Sequence, residues 1–154
     1  MEMMEIWMKL LFETVITGLG SLAFGIVYKV KARRLPFVAA GGGAGWFLYS
    51  IMHMATGNIF LSNIAASLFA TAYSELMARK LKAPVVVLLL PCLIPLVPGG
   101  GLYYAMSNVV MKNNRLAFSY LSSACEAALG IAAGIIVVSV LMSGSGAKKK
   151  RRGN

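Results

Sequence analysis

The sequence has no aspartate, and its 154 residues carry only five acids, Glu2, Glu5, Glu13, Glu75 and Glu126. Groups able to move a proton are therefore few, and no pair of carboxylates stands ready for acid–base chemistry. A single histidine, His53, and two cysteines, Cys92 and Cys125, make a poor metal set, since neither cysteine sits in a C-x-x-C pair or has a histidine at ligand spacing. Both thiols fall in apolar runs, where cysteine behaves as a small hydrophobe, so no disulfide, metal or other cofactor is expected. A nucleophile paired with a base is lacking as well, and the chain is not expected to be an enzyme.

Charge of either sign is scarce: 13% of residues are charged against 58% hydrophobic, and the mean hydropathy is +0.75. That balance excludes a soluble domain and implies an integral membrane protein in contact with the lipid bilayer. The formal charge of +10 does not point to nucleic acid, because five of the fifteen basic residues lie in the last stretch and most others in short loops between apolar runs. Such a distribution is a topology signal.

A span needs about 20 apolar residues, and hydropathy sets five, at about 7–28, 36–54, 59–78, 84–111 and 116–142. The expected fold class is all-α integral membrane, with about five transmembrane helices and the fourth broken at a Pro/Gly stretch. Residues 1–143 form the transmembrane domain, and 144–154 a basic, disordered cytoplasmic tail. The N-terminal segment lacks a basic leader and a cleavage site, so it is expected to remain as the first span. The basic loops at 29–34 and 79–82 and the tail share one side if there are five spans. Placing them in the cytoplasm puts the N-terminus outside and the C-terminus inside a multi-pass cell membrane protein. A re-entrant hairpin at the fourth stretch would instead send the basic tail outside.

The fourth stretch, PVVVLLLPCLIPLVPGGGLYY, carries Pro84, Pro91, Pro95 and Pro98, followed by Gly99, Gly100 and Gly101. A regular helix does not survive that sequence, because proline removes a donor and clashes with the preceding turn while glycine adds backbone freedom. Irregular backbone at membrane depth is tolerated only when buried in protein or lining a wet cavity. A kink usually needs one proline, so the added glycines favour a binding site over a simple kink. A short helix opening after the glycines would offer unpaired N–H groups to an anion, as half-helices in transporters do.

Other candidates follow from helical spacing. Asn63, Ser67, Thr71 and Ser74 share one face of the third span, either lining a hydrophilic path or bonding helices together. Gly41, Gly42, Gly43 and Gly45 are expected to permit close packing, and Glu75 to pair with Arg79 four residues on. Ser119, Ser122, Glu126, Gly130 and Ala133 form an expected inward stripe of the fifth span, with Glu126 the deepest acid and the candidate for proton coupling. Glu13 is expected near the outer interface in a salt bridge with Lys9, and His53 as an interfacial polar residue.

The run SELMARKLKAPVVVLLLPCLIPLVPGGGLYYAM resembles the signature of the threonine/serine exporter family in its carboxy-terminal membrane half, most specifically around Pro95, Pro98, Gly99, Gly100, Gly101 and Tyr103. Length and span pattern extend the resemblance over nearly the whole chain, which is similar to the small split-type members that hold only the later half. The resemblance implies a subunit of a secondary transporter that exports threonine, serine or related small carboxylates. It further implies proton coupling and a complementary membrane subunit carrying the other half. The substrate-binding residues expected on this basis and on the spacing above are Pro95, Pro98, Gly99, Gly100, Gly101, Tyr103, Asn63 and Ser67. Assembly with further copies of itself is a second possibility for partners, and a non-transporting membrane scaffold is the alternative function.

Overall fold

The computed structural model describes the backbone of residues 2–151 and the side chains of residues 3–142. Among the described residues there are six α-helices, α1 (Glu2–Val27), α2 (Leu35–Thr56), α3 (Ile59–Leu81), α4 (Val85–Leu93), α5 (Gly99–Val110) and α6 (Asn114–Arg151). Short 3₁₀ turns at Ala32–Arg34 and Ile94–Leu96 complete the regular structure. Four helices are long and apolar enough to cross a membrane, and a bent pair forms the fifth candidate. The expected all-α membrane fold is therefore present. Residues 144–154, expected as a tail, have side chains outside the described residues, and 152–154 lie outside them entirely.

Helix ends follow local chemistry. α1, α3 and α5 each stop at a lysine in the left-handed region, Lys29, Lys82 and Lys112. In each case the next amide reaches back five residues: Val30 to the Gly25 carbonyl, Ala83 to Ala78 and Asn113 to Asn108. This closure satisfies terminal carbonyls and sets a cation beside the negative end of the helix dipole. Starts are marked by asparagine, with the Asn58 side chain accepting from the Leu61 amide at 3.1 Å and that of Asn113 from Leu116 at 3.4 Å.

Small residues bring the helices together. α1 and α2 run antiparallel with Gly18 against Ala39, Ser21 against Gly42 and Thr14 against Gly43. Gly41 accommodates the Tyr73 ring of α3 and the Cys92 thiol of α4; Tyr73 Oη donates to the Phe37 carbonyl at 2.9 Å and Cys92 Sγ to that of Val38 at 3.5 Å. The packing role expected of Gly41, Gly42 and Gly43 is met. In contrast, a Cβ on Gly45 would meet nothing within 4 Å. The core so formed centres on Val38, Ala66, Ala70, Leu88, Cys92 and Leu96.

Register settles how the broken stretch runs. Gly130 lies against Phe60 and Asn63, and Gly134, one turn on, against Ile64, Ser67 and Leu68. The numbers climb together, so α6 is parallel to α3. Two parallel helices need a crossing in the opposite direction between them, and only the segment 84–110 is available. Its two halves bend by 48°, far short of the reversal a hairpin requires. With about 20 Å from α4 and its 3₁₀ turn, and about 12 Å from α5 projected on the same axis, the pair matches a hydrocarbon core of about 30 Å.

The two basic loops meet at one end of the bundle, where Arg34 Nη2 donates to the carbonyls of Leu81 at 3.0 Å and Lys82 at 3.4 Å. A crossing at 84–110 also makes a testable statement about the other end. In a cysteine-free background, single cysteines at Asn58 and Asn113 are expected to react with an impermeant thiol reagent from the same side of the membrane. Labelling from opposite sides would mean that 84–110 returns to the side it left.

Candidate functional site

α4 contains Pro91 and tightens into the 3₁₀ turn Ile94–Leu96, which holds Pro95. Val97 is extended, and Pro98 caps α5, so that Gly99, Gly100 and Gly101 form its first turn. The Gly99 amide closes on the Val97 carbonyl at 2.7 Å, and the Leu102 amide reaches the Pro98 carbonyl at 3.1 Å. Between them, the amides of Gly100 and Gly101 are first-turn donors with no helical acceptor. They open onto a cavity of about 230 Å³ lined by the break, by Trp46 and Tyr49 of α2, by Ile59 and Asn63 of α3, and by Ser123, Ala124 and Ala127 of α6.

The glycines of this turn differ from the packing glycines. None has a positive φ, and a Cβ on Gly99 or Gly100 would meet nothing within 4 Å, while one on Gly101 would make an ordinary 3.6 Å contact with Ala124. A Cβ on Gly130, by comparison, would stand 2.7 Å from the Phe60 carbonyl oxygen. Neither conformation nor packing requires glycine at 99 and 100. What its absence of a side chain leaves there is bare backbone facing the cavity.

Asn63 is the polar partner across from this turn. It is 2% exposed, its Nδ2 donates to the Ile59 carbonyl at 2.9 Å, and its Oδ1 is buried with no hydrogen-bond partner among the described residues. An unpaired buried acceptor is costly, on the order of 1–3 kcal/mol, unless something polar visits it.

The cavity brings together Pro95, Pro98, Gly99, Gly100, Gly101 and Asn63 and leaves out three other expected residues. Ser67 lies in the α3–α6 seam, its Oγ donating to the carbonyls of Ile64 at 3.1 Å and Gly130 at 3.3 Å, and so joins helices. Tyr103 is 69% exposed and stacks edge-on to Tyr104, because position 103 falls on the outer face of α5. Glu126 is exposed beside the buried stripe of Ala124, Ala127 and Gly130, so the expected inward orientation is corrected. The remaining acids divide: Glu75 pairs with Arg79 at 3.7 Å as expected, whereas Glu13 accepts from Trp46 Nε1 at 3.4 Å.

Trp46 and Tyr49 were not singled out from sequence, although 46, 49 and 53 fall on one helical face. Their rings stand 5.3 Å apart, and Tyr49 stacks on His53 at 5.7 Å. Trp46 and Tyr49 are the α2 wall of the cavity, with His53 one step beyond it.

The two kinds of glycine should fail differently on substitution. Gly134→Val drives a side chain into Ser67 and the α3 backbone and is expected to cost about 1–3 kcal/mol or more. Gly100→Val is expected to stay within about 0.5 kcal/mol of the parent. Thermal unfolding of the purified variants in detergent checks this, and equal losses would make Gly100 a packing residue.

No solved structure matches the chain. The family model described as threonine/serine exporter, ThrE, matches residues 13–141, a region that includes the broken helix, Asn63 and the aromatic wall. The chain belongs to the threonine/serine exporter family.

Proposed function

We propose that the chain is one subunit of a proton-coupled exporter of small amino acids or related small carboxylates, with the broken-helix cavity as the substrate site. The observation that carries this is the pairing of bare amides with an unpaired acceptor. Gly100 and Gly101 offer N–H groups at a positive helix end, suited to a carboxylate, while Asn63 of the facing wall carries a buried, unpaired Oδ1 that an ammonium group would satisfy. A zwitterionic amino acid satisfies both at once. At about 230 Å³ the cavity falls below the range of about 300–1,000 Å³ typical of larger ligands, in keeping with a small substrate.

The same proposal places the basic loops in the cytoplasm and the N-terminus outside, because short cytoplasmic loops hold the excess of lysine and arginine. The cavity then lies toward the outer half, one turn into α3 from its outer end. A complementary membrane subunit completes the pathway. Transporter sites usually form between two repeats, and this chain supplies one broken helix.

Two outcomes test the site. Gly100→Val, which adds a branched side chain over the amides, is expected to reduce threonine flux at least tenfold with membrane insertion unchanged. Asn63→Leu removes the acceptor and should weaken threonine binding by about tenfold, equivalent to about 1.4 kcal/mol, while leaving a simple carboxylate without an amine unaffected. Wild-type flux in both variants would move the substrate elsewhere. The need for a partner is checked by reconstituting the chain alone, for which no net threonine flux is expected.

A further inference from the structure

A second cavity, of about 390 Å³, lies behind the aromatic wall and is lined by Lys9, Leu10 and Glu13 of α1 and by Trp46, Tyr49, Ser50 and His53 of α2, among others. Trp46 and Tyr49 belong to both cavities, so the two share one partition. The indole Nε1 of Trp46 donates to Glu13 Oε2 at 3.4 Å. Among the described residues, Glu13 is thus the acid joined by a hydrogen bond to a residue of the broken-helix cavity.

We propose that Glu13 is the proton-carrying group of the transport cycle and that Trp46 is the movable partition through which its protonation is felt at the broken helix. The proposal rests on the transport function above. An ionised Glu13 attracts the indole N–H across 3.4 Å, and protonation removes the charge that favours this contact. The ring is then free to swing and join the two cavities. The proton comes from water in the second cavity and returns to water once the site faces inward; only an O–H bond forms and breaks.

The charged and titratable groups facing Glu13 are Lys9, one turn away on its own helix, and Tyr49 and His53 on α2. His53 Nδ1 is buried with no hydrogen-bond partner among the described residues, its ring stacked on Tyr49. α4 and its 3₁₀ turn also pack on α1, but their titratable group is Cys92, whose thiol is turned toward the Val38 carbonyl at 3.5 Å.

The chain has two tryptophans, so Trp7→Phe leaves Trp46 as the sole indole reporter. In lipid vesicles its emission is expected to shift with pH in one transition that E13Q abolishes, E13D restores, and H53Q and E126Q retain. A transition that persists in E13Q, or disappears only in H53Q, overturns the link. In native membrane vesicles with radiolabelled threonine as probe, E13Q should lose pH-driven accumulation at least tenfold yet keep exchange at equal pH. Accumulation at the wild-type level in E13Q overturns the coupling role. Failure of the transport function itself has a different signature: wild-type vesicles move no threonine although the Trp46 transition is intact.

Discussion

A backbone amide within a bilayer must find its partner inside the protein, and the arrangement of this chain follows from that constraint. Five passages satisfy it in two ways. Four helices close their own hydrogen bonds along their length, while the fifth breaks at Pro95 and Pro98 beside a cavity lined by α2, α3 and α6. The open amides of Gly100 and Gly101 face a cavity lined by α2, α3 and α6. Were α6 antiparallel to α3, the break would lie at a re-entrant tip. The parallel register of Gly130 and Gly134 on α3 makes it the middle of a crossing instead.

Glycine serves two purposes here, and sequence alone does not separate them. GGGAG in α2 and GGG at the start of α5 look alike on paper. Gly41 and Gly42 of the first group take up the Tyr73 ring, the Cys92 thiol and the Ser21 hydroxyl, so there the lack of a side chain is filled by other atoms. The second group is left unfilled, and that space is what a ligand would occupy. Distinguishing the two requires the neighbour's coordinates, since the relevant quantity is what a Cβ would touch.

Much of the fold was legible because it is written in hydropathy. Spans, basic loops, the broken fourth segment and the Glu75–Arg79 pair all follow from local spacing, and the structure contains them. The site was half legible. Proline and glycine announce a break wherever they fall, and Asn63 is polar in an apolar run. Ser67 and Tyr103 were assigned from spacing or resemblance, but inward orientation depends on which neighbour lies opposite. Ser67 meets the Gly130 carbonyl of a helix 63 residues away in sequence, and no periodicity within α3 carries that information.

The acids make the same point more sharply. Depth along an apolar run made Glu126 the natural proton carrier, yet orientation in a bundle is set by what packs opposite. Ala124, Ala127 and Gly130 take the buried face of α6, so Glu126 stands on its exposed flank. Glu13 looked interfacial because it lies early in α1, with Lys9 a turn away. The antiparallel seam with α2 sets Thr14 against Gly43, and this brings Glu13 to Trp46 on the wall of the cavity. On the proposed function, a carboxylate in that position holds the indole N–H less tightly once protonated, and the ring that donates it lines the broken-helix cavity. On that proposal, coupling between proton and substrate needs no long pathway, because one side chain, Trp46, borders both cavities.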